Sequence, residues 1–170
     1  MMLNKKTYPS IAAENVDALF ALPEKVLQFG TGVLLRGLPD YFIDKANKQG
    51  LFNGRIVVVK STDQGGTDAY ELQDGLYTIL EKGIENGKAV QRTTINASIS
   101  RVISAKSQWQ EVLDCAANKE LQVIISNTTE VGIALVPSDA TANFPESFPG
   151  KLLHFLMERY RVFDGAKEAG

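Results

Sequence analysis

A short apolar run that ends at a glycine, and passes through a second glycine into a helical pattern, constrains this chain more than any other feature. The run is KVLQFG, residues 25–30, just after the breaker Pro23, and it reads as a buried strand. The turn GTGVLLRG follows, and then LPDYFIDKANKQG, in which Leu38, Phe42, Ile43 and Ala46 recur at helical spacing until Gly50 stops the pattern. Pro39 sits at the start of that helix. Proline suits a first turn but costs about 3 kcal/mol in a helix interior, so the regular helix begins near Leu38 or is kinked there. Residues 55–62, RIVVVKST, return as a second strand whose Ile56, Val57, Val58 and Val59 have no polar break, as a strand covered on both faces requires. Strand, helix and strand in this order make one unit of an α/β parallel sheet.

A strand that runs through glycines into a helix directs backbone N–H groups and a positive helix end at a place where a pyrophosphate can sit. Gly30 permits the tight turn, and Gly32 lets the backbone approach phosphates with no Cβ in the way. The third glycine of that pattern is absent, since Leu35 stands there, and an ordinary strand-to-helix turn is the competing reading. Phe29, Thr31, Val33, Leu34 and Gly37 complete the candidate contact set. Arg36 either clamps a phosphate in bidentate fashion or is a solvated surface arginine. At the end of the second strand, NAD enzymes usually carry an acid for the ribose hydroxyls. Here Lys60, Ser61 and Thr62 occupy that end, Lys60 suits a 2′-phosphate, and Asp63 comes late for the ribose role. Lys60 and Thr62 are the candidate contacts on that side.

Further along, residues 76–103 read as an antiparallel hairpin appended to the sheet, with Asn86-Gly87 as its type I′ turn. SAKSQWQEVLDCAANKE offers Ser107 as an N-cap, then Trp109, Val112, Leu113 and Ala116 on one face of a third-layer helix. Residues 121–126 form a buried strand running into SNTTE. Asn127, Thr128 and Thr129 are thereby placed at a strand's carboxyl end, where open α/β sheets bind ligands; capping of a helix is the alternative for the two threonines. Glu130 is the candidate proton carrier, against an exposed loop carboxylate. FPGKLLHFLMERYRVF brings Leu152, Leu153, Leu156, Met157 and Tyr160 to helical spacing, after the loop DATANFPESFPG with Pro145 and Pro149. His154 reads as a packed or surface histidine, and Cys115, on a buried face, as inert.

Bulk composition narrows the partners. The 170 residues carry 18 basic and 20 acidic side chains, a formal charge of -2 that gathers no polyanion, so nucleic acid is not expected. One cysteine and one histidine exclude a disulfide framework and a Cys/His metal cluster, and no metal is expected. MMLNKKTYPS has no apolar targeting core and no run is long enough to span a membrane, so a cytoplasmic location is expected. The domain reading is an N-terminal segment, 1–24, followed by a dinucleotide-binding domain, 25–170.

Four ordered motifs, VLQFGTGVLLRG, QDGLYT, SRVIS and SNTTEVGI, make the chain resemble the mannitol dehydrogenase family of polyol-specific long-chain dehydrogenases, over residues 25–160. That family's turn has the form G-x-G-x-x-x-R-G, which accounts for Leu35 and for Arg36-Gly37. The resemblance implies a Rossmann-like NAD-binding domain and reversible hydride transfer between NAD(H) and a small sugar-acid carbonyl, with D-tagaturonate reduced to D-altronate in hexuronate breakdown. A fructuronate or mannitol-type substrate, or a non-catalytic nucleotide-binding module, is the alternative. It further implies that the lysine acid/base, with its asparagine and histidine companions, lies in a helical C-terminal domain beyond Gly170. The chain is expected to be truncated, inactive alone, and to contain no catalytic group unless Glu130 serves as one.

Overall fold

The structure, a computed structural model, describes residues 2–8, 15–61 and 68–164. Thr62 and Asp63 lie outside them. Helix α1 (Val16–Phe20) leads into β1 (Glu24–Phe29), then α2 (Val33–Gly37), α3 (Pro39–Lys48) and β2 (Arg55–Lys60). Next come α4 (Asp68–Leu72), the strands β3 (Tyr77–Glu85), β4 (Lys88–Asn96) and β5 (Ile99–Ser104), helix α5 (Trp109–Asp114), strand β6 (Val123–Ser126) and helix α6 (Phe148–Val162). Short 3₁₀ turns cover Cys115–Ala117 and Pro137–Thr141.

Strands β5, β2, β1 and β6 form, in that order, a parallel sheet, and β3 with β4 forms a separate antiparallel pair. Alternate residues of β1 face opposite layers. Leu27 and Phe29 join Val57, Val59, Val112 and Phe155 on the side covered by α5 and α6, while Val26 joins Ile56, Val58, Ile99 and Val102 on the side covered by Ile43, Phe52 and Tyr77. The N-terminal residues are packed too: Tyr8, Val16 and Leu19 form a cluster with Leu76 and Ala97. Among the described residues no helix is long and apolar enough to cross a membrane.

The hairpin turns where expected, with Asn86 and Gly87 both at positive φ (52° and 76°). It ends sooner than expected. Asn96 Oδ1 accepts hydrogen bonds from the N–H (2.9 Å) and hydroxyl (2.7 Å) of Ser98, an Asx-type turn that frees Ile99–Ser104 to pair in parallel with β2. The kink at Pro39 is a full break: Leu38, at φ -120° and ψ -81°, separates α2 from α3.

Two apolar stripes and the burial of one strand are corrected. On α3, Leu38 and Phe42 are exposed, and the buried side chains are Asp40, Asp44 and Asn47. The reason is that this face docks on backbone. Asp44 Oδ1 accepts the Ala97 N–H at 2.8 Å, and Asn47 exchanges two hydrogen bonds with Gly54 (2.7 and 3.0 Å). On α6 the face against the sheet is Phe155, Lys151 and Arg159, whereas Leu153, Leu156, Met157 and Tyr160 are exposed. Arg159 is held there by the carbonyls of Ala116, Asn118 and Leu121, which lack strand or helix partners of their own. Strand β6 is half-buried rather than fully buried, because it pairs on one side only. Ser107 is not a cap: α5 starts after Gln108, whose Oε1 instead accepts the Ser104 N–H (3.0 Å).

Asp44→Ala is expected to cost about 1–3 kcal/mol, by orphaning the Ala97 N–H, whereas Phe42→Ala at its exposed site shifts stability by less than about 0.5 kcal/mol. Urea unfolding midpoints check the order, which is the reverse of what hydropathy alone assigns.

Candidate functional site

At the end of β1, Gly30 takes φ +118° and donates its N–H to Val59 O at 2.9 Å, a backbone state that side chains rarely adopt. A Cβ at Gly30 would also sit 3.2 Å from Leu35 Cδ1. Leu35 therefore plugs the underside of the turn, 3% exposed, which explains why the third glycine is absent. Gly32 is extended (φ -63°, ψ 155°) at the N-cap of α2, and a Cβ there meets nothing within 4 Å. Its open face points to no protein atom. Val33 and Leu34 are exposed, as is Gly37, and Thr31 is half-buried. Arg36 lies half-buried with its guanidinium 6.0 Å from the Tyr77 ring centroid and its buried Nε without a hydrogen-bond partner, while its carbonyl accepts the Tyr77 hydroxyl at 2.9 Å. A buried guanidinium N–H with nothing to bond is a fit for an anion.

The sheet order reverses between β1 and β6, and a cavity of about 430 Å³ opens at that point. Its walls bring together Phe29, Gly30, Asn127, Thr128 and Thr129 from the expected set, with Ser61 at the end of β2. Thr128 Oγ1 lies 2.8 Å from Ser126 Oγ. Thr129 caps only one turn, accepting Gly132 N–H on its hydroxyl (3.3 Å) and Ile133 N–H on its carbonyl (3.1 Å). Arg36 and Lys60 are outside this lining. Lys60 is 8% exposed at the end of β2, where its carbonyl accepts Ala105 N–H. Glu130 is on an exposed turn, also outside the lining.

The opposite wall was not anticipated. Glu146, Ser147, Phe148 and Lys151 line the cavity from the start of α6, where Ser147 Oγ caps the helix by accepting Gly150 N–H (3.1 Å). Asp139 fixes this loop. Its carboxylate accepts the N–H groups of Glu146 and Ser147 (2.9 Å each) and the Ser147 hydroxyl, bonds that hold it below the usual carboxylate range. His154 Nε2 lies 2.6 Å from the Asp139 carbonyl, so the histidine tethers the loop. Lys151 is 4% exposed, over the Phe144 ring at 4.9 Å, and burial pushes its ammonium down from the ordinary lysine range. A serine two residues before Pro149 was the available signal, since that pairing marks a helix start. Burial likewise pushes the Cys115 thiol up, as expected of an inert side chain.

Beneath the turn is a polar layer that apolar patterning also hid. Gln28 and Asp40 are both 0% exposed, and Gln28 Nε2 donates to Gly30 O and to Asp40 Oδ2, at 3.3 Å each. Desolvation pushes Asp40 up to about 7, against the opposing hydrogen bonds of Gln28 and Tyr77 and the charge of Arg36. A carboxyl raised in the folded chain binds more protons there than when unfolded. Stability is therefore expected to fall as pH rises from about 4 through about 7, by about 4 kcal/mol at its upper limit, and Asp40→Asn removes that slope. Denaturant titrations across this window read it directly.

The sequence matches the Mannitol dehydrogenase Rossmann domain over residues 24–167. Among curated relatives, the altronate oxidoreductases of Halalkalibacterium halodurans and Bacillus subtilis are each 40% identical, over 88% and 99% of this chain; that of Bacteroides thetaiotaomicron is 36% identical over 99%. The chain spans only about a third of their length. In three dimensions it is similar to Pseudomonas fluorescens mannitol 2-dehydrogenase, solved as a ternary complex with NAD and D-mannitol (TM-score 0.81, 21% identity, 95% of this chain and 36% of that one). A D-sorbitol dehydrogenase follows at TM-score 0.75 and 17% identity, over 95% and 37%. The turn, the sheet order and the sequence match agree, and the chain belongs to the mannitol dehydrogenase family as its Rossmann domain.

Proposed function

We propose that this chain is the cofactor-binding domain of an NAD-dependent oxidoreductase that reduces D-tagaturonate reversibly to D-altronate in hexuronate catabolism. The observation that carries the reading is the cavity at the sheet's reversal point, which joins the glycine turn to the polar loop after β6. Identity of 36–40% to altronate oxidoreductases supports the substrate class. Bound nicotinamide supplies or accepts the hydride.

The chain's own residues have three tasks. The backbone of residues 30–37 and the Arg36 guanidinium hold the pyrophosphate, with Phe29, Thr31, Val33 and Leu34 flanking it and Gly32 leaving room for it. Lys60 and Thr62 contact the adenosine ribose, and Asn127, Thr128 and Thr129 hold the nicotinamide ribose and carboxamide by hydrogen bonds. Glu130, on an exposed turn outside the cavity lining, is assigned no step at the reacting carbonyl.

Because a Cβ at Gly32 meets no protein atom, Gly32→Val is expected to leave folding intact while weakening NADH binding by about 100-fold or more, through collision with the phosphates. Calorimetry on the full-length protein tests this, and unchanged affinity removes the turn from the site. Catalytic efficiency is expected to favour NADH over NADPH; the reverse makes Lys60 a 2′-phosphate residue. Turnover compared among tagaturonate, fructuronate and fructose assigns the substrate, and activity on fructose alone overturns the sugar-acid reading.

A further inference from the structure

Three buried polar atoms without hydrogen-bond partners gather under the turn: Gln28 Oε1, Asp40 Oδ1 and Arg36 Nε. The first two are both acceptors, and they belong to side chains already joined through Gln28 Nε2 and Asp40 Oδ2. An ionised Asp40 has no proton to offer, so both acceptors go unsatisfied in a dry site. A single proton on Oδ1 changes that, since an acid and an amide side by side each give and accept one hydrogen bond. The layer is tied to the turn at several points. Gln28 holds the Gly30 carbonyl, Tyr77 holds the Arg36 carbonyl, and Asn96 Nδ2 donates to the Asp40 carbonyl at 2.9 Å.

The charges around Asp40 come from three elements. Arg36 on α2 is the cation acting on it, Tyr77 faces it from the hairpin, and Asp44 follows one turn later on α3, already paired with Lys48 at 2.9 Å. Arg36 is also the side chain placed to meet a phosphate. A phosphate that engages this guanidinium takes from Asp40 its counter-charge and adds negative charge above it, and both effects favour the neutral acid.

We infer that Asp40 and Gln28 are positioning residues of the turn, and that Asp40 takes up a proton from solvent as a nucleotide diphosphate settles on Arg36 and the Gly30 to Gly37 backbone. This rests on the reading of that turn as the pyrophosphate site.

The test is calorimetric titration of the full-length protein with NADH, in two buffers of different ionisation enthalpy at about pH 7.5, where linkage counts bound protons. Net uptake of part of one proton is expected, with affinity falling about tenfold between about pH 6.5 and about pH 8.5. Asp40→Asn should abolish the uptake and flatten the profile. The proton count on the native protein does not depend on any variant folding. Absence of uptake there, or equal uptake in Asp40→Asn, overturns the inference; if Gly32→Val still loses NADH, the pyrophosphate reading stands. NADH affinity unchanged in Gly32→Val overturns both.

Discussion

Strand β1 is hydrogen-bonded along both edges, to β2 on one side and β6 on the other, and its residues Val26, Leu27 and Phe29 are at most 3% exposed. Parallel pairing makes all three strands finish at the same edge of the sheet. Gly30, Ser61 and Asn127 consequently emerge together, and the connections leave in opposite directions because β2 and β6 flank β1. A cavity at this spot is a topological result of the strand order before any side chain is chosen. Gly30, at the end of β1, forms part of its wall.

The fold holds its outer layers with buried polar side chains as much as with apolar ones. Asp44, Asn47, Asp139 and Arg159 each bond to backbone groups that lie outside the strands and the longer helices, and Asn96 adds a bond to the Asp40 carbonyl in the first turn of α3. Such contacts tie a helix to a chosen stretch of backbone, which apolar packing alone leaves free to slide. The site is assembled from four segments far apart in sequence, and this is how their relative placement is kept.

Much of the sheet was legible because β2 is a continuous apolar run, β1 is an apolar run interrupted only by Gln28, and Asn86-Gly87 has few alternatives to a hairpin turn. Ile99–Ser104 was absorbed into that hairpin because no glycine or proline separates it from β4; the break depends on Asn96 bonding to Ser98, an interaction that a hydrophobic pattern does not record. The glycine turn could be read since a glycine's role is local. Gln28 and Asp40 could not, as their meaning arises only when α3 folds back under β1, although a lone glutamine in an apolar strand was a hint. On α3 and α6 periodicity found helices but missed the groups that carry most of the burial, because charged and amide side chains there point inward to backbone, while of the α3 stripe Ile43 packs on the core.

The order in which the sheet is completed has its own consequence. The β3–β4 hairpin closes between neighbours in sequence, within microseconds, and needs nothing else. By contrast, one edge of β1 stays open until β6 has been synthesised, with the whole of β2 through α5 intervening. A ribosome-bound chain thus carries a buried apolar strand half-paired until β6 emerges, and an open strand edge is a template for unwanted pairing. Residues on the late side of that wait, Val123–Ser126, set how quickly β1 is closed off, a kinetic burden on a four-residue strand that its small share of the core does not suggest.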